Sequence, residues 1–139
     1  MILNLQRKAK FDPEKLVHFD DLLVSLVPEA REKRFDIALI SDRRMKELNK
    51  LFRDKSVTTD VLSFPHEPDE FDPDKDNLGD IVISVEQAQK QAAENGLTLE
   101  NEIKQLILHG LLHLCGYDHD KDNGEMNLRE LQLREKIGI

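Results

Sequence analysis

The segment HGLLHLCGYDH, residues 109–119, follows the apolar run Leu106-Ile107-Leu108 and places histidines at 109, 113 and 119. Residues four apart on a helix lie on one face about a turn from each other, so the imidazoles of His109 and His113 converge. Gly116 lets the chain reverse straight after the helix, because glycine enters the left-handed region without steric penalty, and His119 can then swing back toward the same point. Three neutral nitrogens predict one Zn2+ ion with water in the fourth position. Such a set leaves the metal its full charge, which lowers the pKa of bound water toward neutrality; a structural site would normally close with a fourth protein ligand. Cys115 lies two residues past His113, points to another part of the helix surface and reads as core. Asp118 and Asp120 flank the third histidine, where they fit either carboxylate partners of a ligand imidazole or solvated turn residues.

Working outward, Thr98 caps the histidine helix, and Ser84 with Gln87 forms a capping box for a preceding helix that stops near Asn95-Gly96. Upstream, Leu78 to Ser84 and Asp60-Val61-Leu62-Ser63-Phe64 read as strands, separated by an acidic, Pro/Asp-rich loop from Pro65 to Asn77. Phe35 to Ile40 is a further strand, followed by a helix capped by Ser41-Asp42 that runs to about Arg53 with Met45, Leu48 and Phe52 inward. Ile2 to Leu5 reads as the first strand. Asp12-Pro13 then starts a helix to about Val27, whose stripe Leu16, Phe19, Leu22, Leu23, Leu26 faces the core until Pro28 stops it. A last helix, Glu125 to Lys136, offers Met126, Leu128, Leu131 and Leu133 to the interior. Four strands and five helices indicate a sheet with helices packed on it, α+β or α/β, in an order that periodicity leaves open.

The 139 residues suit a single domain, 1–139. No apolar run is long enough to span a membrane, the N-terminus lacks the pattern of a secretory signal, and a lone cysteine fits a reducing compartment, so a cytoplasmic location without membrane contact is expected. A formal net charge of -8 excludes a protein that coats nucleic acid over its whole surface, and any nucleic-acid contact must be local. Charge is segregated: Arg43, Arg44, Lys46, Lys50, Arg53 and Lys55 stand against Glu47 and Asp54 in one segment, which on composition reads as a solvated helix face.

The spacing H-x-x-x-H-x-x-G-x-x-H is that of metzincin peptidases, but their catalytic glutamate, next after the first histidine, is Gly110 here. Peptide hydrolysis in that class needs a carboxylate to deprotonate the zinc water, so peptidase activity is not expected.

HGLLHLCGYDH, together with Thr59-Asp60-Val61-Leu62-Ser63-Phe64-Pro65 and Leu78-Gly79-Asp80-Ile81 upstream, resembles the YbeY family of bacterial endoribonucleases. The likeness runs from about Leu48 to the C-terminal helix. It implies a zincin-like α+β fold with a small four-stranded mixed sheet and about five helices, and zinc on His109, His113 and His119. It further implies a single-strand-specific metal-dependent endoribonuclease that acts on ribosomal RNA, at the 3′ end of small-subunit RNA, and in ribosome quality control, with ribosomal RNA and the ribosome as partners. The family arginine maps onto Arg53, whose guanidinium would pair with a scissile phosphate. The family commonly carries proline before the Thr-Asp of its upstream block; Thr58 stands here, which predicts a less rigid entry into the strand. Against this reading stand a zinc hydrolase of peptides or small amides and a ribosome-assembly binding protein with structural zinc.

Overall fold

The computed structural model describes residues 1–118 and 120–139. Strands β1 (Ile2–Asn4), β2 (Arg34–Ile40), β3 (Val61–Pro65) and β4 (Asn77–Ser84) form one sheet in the order β1-β2-β4-β3. The first three in that order run parallel, and β3 pairs antiparallel with β4, Ser63 facing Ile81. The sheet is therefore mixed, and with helices α1 (Phe19–Leu26), α2 (Asp42–Arg53), α3 (Val85–Asn95), α4 (Leu99–Leu114) and α5 (Glu125–Ile137) the fold is the expected α+β.

Successive side chains of a strand point to opposite faces, and β4 uses both. Ile81 and Ile83 enter the main core with Ile37 and Leu39 of β2 and Ile103, Ile107 and Leu111 of α4. Val82 joins Ile40, Met45 and Leu62 on the other face, beneath α2. Each fully buried isoleucine or leucine contributes about 1.5–3 kcal/mol, so the sheet is held most firmly on the side where α4 lies. Ser41, Ser84 and Thr98 accept from the backbone N–H of Arg44, Gln87 and Asn101 at 3.2, 3.3 and 3.1 Å. The capping box expected at Ser84 closes on one side only, because Ser84 N–H donates to Asp60 O and the Gln87 amide donates to Asp42 Oδ2.

Two helices differ from their sequence reading. The stretch from Pro13 to Val27 is not one helix: a single 3-10 turn, Pro13–Leu16, is followed by His18 with φ 69° and then by α1. The left-handed residue re-aims the chain so that Leu16 and Phe19 are both buried, while Leu22 is left 42% exposed. In α5, Leu128 and Leu131 are 59% and 50% exposed, and the inward residues are Met126, Leu133 and Ile137. Their spacing leaves one inner position between Met126 and Leu133, and Glu130 occupies it. In the acidic stretch, Asp69 and Asp72 accept from the backbone N–H groups two residues on, and Asp74 forms an ion pair with Arg34. Among the described residues no helix is long and apolar enough to cross a membrane.

Candidate metal centre

Helix α4 ends in a pair of bonds that shapes everything around it. With Cys115 as cap and Gly116 at φ 98°, Gly116 N–H donates to His113 O and Tyr117 N–H to Leu112 O, each at 3.0 Å. This is the Schellman arrangement, which needs a left-handed residue at Gly116. It folds the Tyr117 carbonyl back over the last helical turn, where it lies 3.1 Å from His113 Nδ1. A carbonyl can only accept, so His113 Nδ1 carries the proton and Nε2 of the neutral ring is a lone pair. His109 is arranged likewise from another element: its Nδ1 lies 3.3 Å from Glu130 Oε2 of α5. The two Nε2 atoms face each other at 3.1 Å.

Two lone pairs aimed at one another repel unless a proton or a cation lies between them. Nitrogens bound to one tetrahedral zinc at roughly 2.0–2.1 Å stand roughly 3.3–3.4 Å apart, so the observed separation suits a shared metal with a small adjustment. The donor set fits as well, since neutral imidazoles with Nδ1 engaged are the form in which histidine ligates zinc. Among the described residues no third His, Cys, Asp or Glu joins the pair as a metal-binding group. His119, the third ligand expected from sequence, lies outside the described residues.

The Glu130 hydrogen bond holds the His109 pKa above the ordinary imidazole value; burial works against it, and the charges of Glu130 and Asp60 add to it. Burial, helped by Glu29 and opposed by Lys33, pushes the Cys115 thiol up to about 11, so without metal it is a neutral thiol at neutral pH. Asp118 is engaged in the following turn, where its carboxylate accepts from Asp120 N–H at 3.0 Å.

His109 and His113 open into a cleft of about 680 Å³ whose walls include Arg53, Asp60, Ser63 and Lys121. The structure thus brings the basic helix to the histidines by its last residue. Arg43 and Arg44, at the other end of α2, are paired with Glu47 on the solvent side. Asp60 ties down the start of β3, accepting from Val61 N–H through its carboxylate at 2.8 Å and from Ser84 N–H through its carbonyl at 2.9 Å. Asp80 sits elsewhere, in a groove on the opposite side of the sheet with Asp36 and Phe64.

Gly110 has a packing role. A Cβ there would stand 2.8 Å from Ile81 Cγ2, so α4 crosses β4 more closely than a larger residue fits without movement, and the Ser63 hydroxyl donates to the Gly110 carbonyl at 3.3 Å. The residue that is a general base in metzincins is here pressed against the sheet.

A model of the family described as Endoribonuclease YbeY matches residues 2–137. The chain belongs to the YbeY family. It is 44% identical to the Endoribonuclease YbeY of Nautilia profundicola over 94% of this chain and 86% of that protein. It is 41% identical to that of Aquifex aeolicus over 91% and 83% of the two chains. The solution structure of TM1509 from Thermotoga maritima superposes with a TM-score of 0.65 at 29% identity, covering 99% of this chain and 89% of that one.

The Thr58 hydroxyl donates to Asp42 Oδ1, which also accepts from Ser84 Oγ at 3.1 Å. The entry to β3 is therefore tied to the first turn of α2 by a hydrogen bond. The sequence reading missed the two groups that orient the helix histidines. The Tyr117 carbonyl is invisible as a side-chain pattern. Glu130 leaves a faint signal, as the single acidic residue on the inward stripe Met126, Glu130, Leu133, Ile137.

Proposed function

We propose that this chain is a metal-dependent endoribonuclease that cleaves single-stranded RNA, with ribosomal RNA in the assembling or damaged ribosome as its substrate in the cytoplasm and the 3′ end of the small-subunit RNA as its processing site. The observation that carries the reading is the convergence of His109 and His113 Nε2 at 3.1 Å in the cleft that Arg53 also lines. Membership of the endoribonuclease family supplies the substrate class.

His109, His113 and His119 would hold one zinc ion, which supplies Lewis-acid polarisation of a phosphoryl oxygen and activation of a nucleophile at neutral pH. The protein's own part is positional. Tyr117 O and Glu130 engage the Nδ1 atoms and so aim the two Nε2 atoms into the cleft. Arg53 presents a planar donor fork that pairs with two phosphate oxygens and stabilises the charge that grows at phosphorus. A flexible single strand bends into a cleft of this size, which a duplex cannot do. Family membership and the glycine at position 110 both weigh against peptide or amide hydrolysis.

The test is zinc content and cleavage of an end-labelled single-stranded RNA by the wild type, His113→Ala and Arg53→Ala, each checked for folding by circular dichroism. The expected result is near-stoichiometric zinc in the wild type, loss of metal and cleavage together in His113→Ala, and retained metal with at least about tenfold slower cleavage in Arg53→Ala. Undiminished cleavage by His113→Ala would overturn the metal reading, and undiminished cleavage by Arg53→Ala would remove its role.

A further inference from the structure

His113 takes its orientation locally, from the carbonyl four residues on, whereas His109 takes it from a residue twenty-one positions away on a different helix. Glu130 is placed for this by the packing of α5. Met126 lies one turn before it and Leu133 one turn after, at 1% and 0% exposure, so the carboxylate is carried on the anchored face and keeps only 18% of its side-chain exposure. A carboxylate so far withdrawn from water needs a hydrogen-bonding partner, and the imidazole provides it. The pair also lines a cavity of about 180 Å³ together with Asp60, Glu102 and Gln105.

We propose that Glu130 is a positioning residue of the metal centre: it accepts the Nδ1 proton of His109, fixes the tautomer that turns Nε2 into the cleft, and so makes α5 part of the site. The proposal rests on the three-histidine reading. Carboxylate partners of this kind raise the basicity of a ligand imidazole and typically account for about 10- to 100-fold in metal affinity.

The experiment titrates Zn2+ into the full chain against a chromophoric chelator for the wild type, Glu130→Gln and Glu130→Ala. In parallel, the tautomer of His109 in the metal-free protein is read by long-range proton–nitrogen NMR at a pH where the ring is neutral. The expected result is about 10- to 100-fold weaker Zn2+ binding in Glu130→Ala with loss of the fixed Nδ1–H tautomer. Glu130→Gln, which keeps an accepting oxygen without its charge, is expected to retain the tautomer and recover part of the affinity. Equal affinity in all three proteins overturns the proposal, as does a His109 tautomer indifferent to Glu130→Ala. If Glu130→Ala fails to fold, wild-type affinity in Glu130→Gln overturns it. A wild type that binds no Zn2+ defeats the three-histidine reading instead, and the tautomer measurement still decides the role of Glu130.

Discussion

Exchanging Gly110 for alanine sets a methyl carbon 2.8 Å from Ile81 Cγ2 and 3.1 Å from its Cγ1 and Cδ1. Apolar carbons rest about 3.5–4.0 Å apart, so α4 and β4 must separate by roughly 0.7 Å or Ile81 must leave its rotamer. Ile81 is wholly buried, β-branched and inside the sheet, which leaves it little freedom to yield. Overpacking of this kind costs about 1–3 kcal/mol, and alanine returns about 1 kcal/mol over glycine in a helix interior, so the net loss is about 1 kcal/mol. The informative measurement is a cycle of four proteins by urea unfolding in the same metal state: wild type, Gly110→Ala, Ile81→Ala and the double variant. Ile81→Ala alone removes the three opposing carbons and costs about 2–5 kcal/mol. In that background the methyl at 110 meets an opened space, and Gly110→Ala becomes stabilising by about 1 kcal/mol. A change of the same sign and size in both backgrounds would refute the claim that Gly110 is there to let the helix touch the sheet.

Three further outcomes are expected. Thr58→Val removes the hydroxyl from Asp42, which keeps Ser84 and Gln87 as donors, so the loss is limited to about 1 kcal/mol; thermal unfolding measures it, and faster amide exchange at Thr59 and Asp60 locates it. His109 has a folded pKa above its ordinary 6.5, so in the metal-free protein its protonation stabilises the fold. That contribution is complete below 6.5 and disappears as pH rises through the raised value. The stability gap between wild type and His109→Gln, followed by urea titration across that window without metal, therefore narrows with rising pH. Zinc affinity runs the opposite way and weakens as pH falls through the same value, because the metal needs the neutral ring.

Elements with a strong local signature were legible in the sequence. The caps Ser41, Ser84 and Thr98, the apolar strands Phe35 to Ile40 and Leu78 to Ser84, and the i, i+4 histidines all act through neighbours a few residues away, and each is where its pattern placed it. His18 was not legible, because a left-handed histidine is imposed by burying both Leu16 and Phe19 and leaves no mark of its own. The α5 stripe failed for a related reason: leucine is abundant in Glu125 to Lys136, and which leucines face inward is decided by where the helix lands on α4. Glu130 and Tyr117 O reach the histidines only through that landing and through the Schellman turn. The pairing of Thr58 with Asp42 joins residues 16 positions apart, so the residue type at 58 gave no sign of it.

The sheet order carries a consequence for the time course of folding. Ile2 registers with Ile37, and Ile37 with Ile81, so both parallel pairings join residues several dozen positions apart, while the β3–β4 ladder and the α3–α4 pair are closer in the chain. Long loops must close before a parallel ladder rewards them, which makes docking of β1 and β2 the slow step and the segment from β3 to α4 the natural nucleus. His109 and His113 sit inside that nucleus on a single helix. If the proposed site binds metal, ions present during refolding are expected to meet two of its three histidines before β1 and β2 dock, and to favour the helix that carries them.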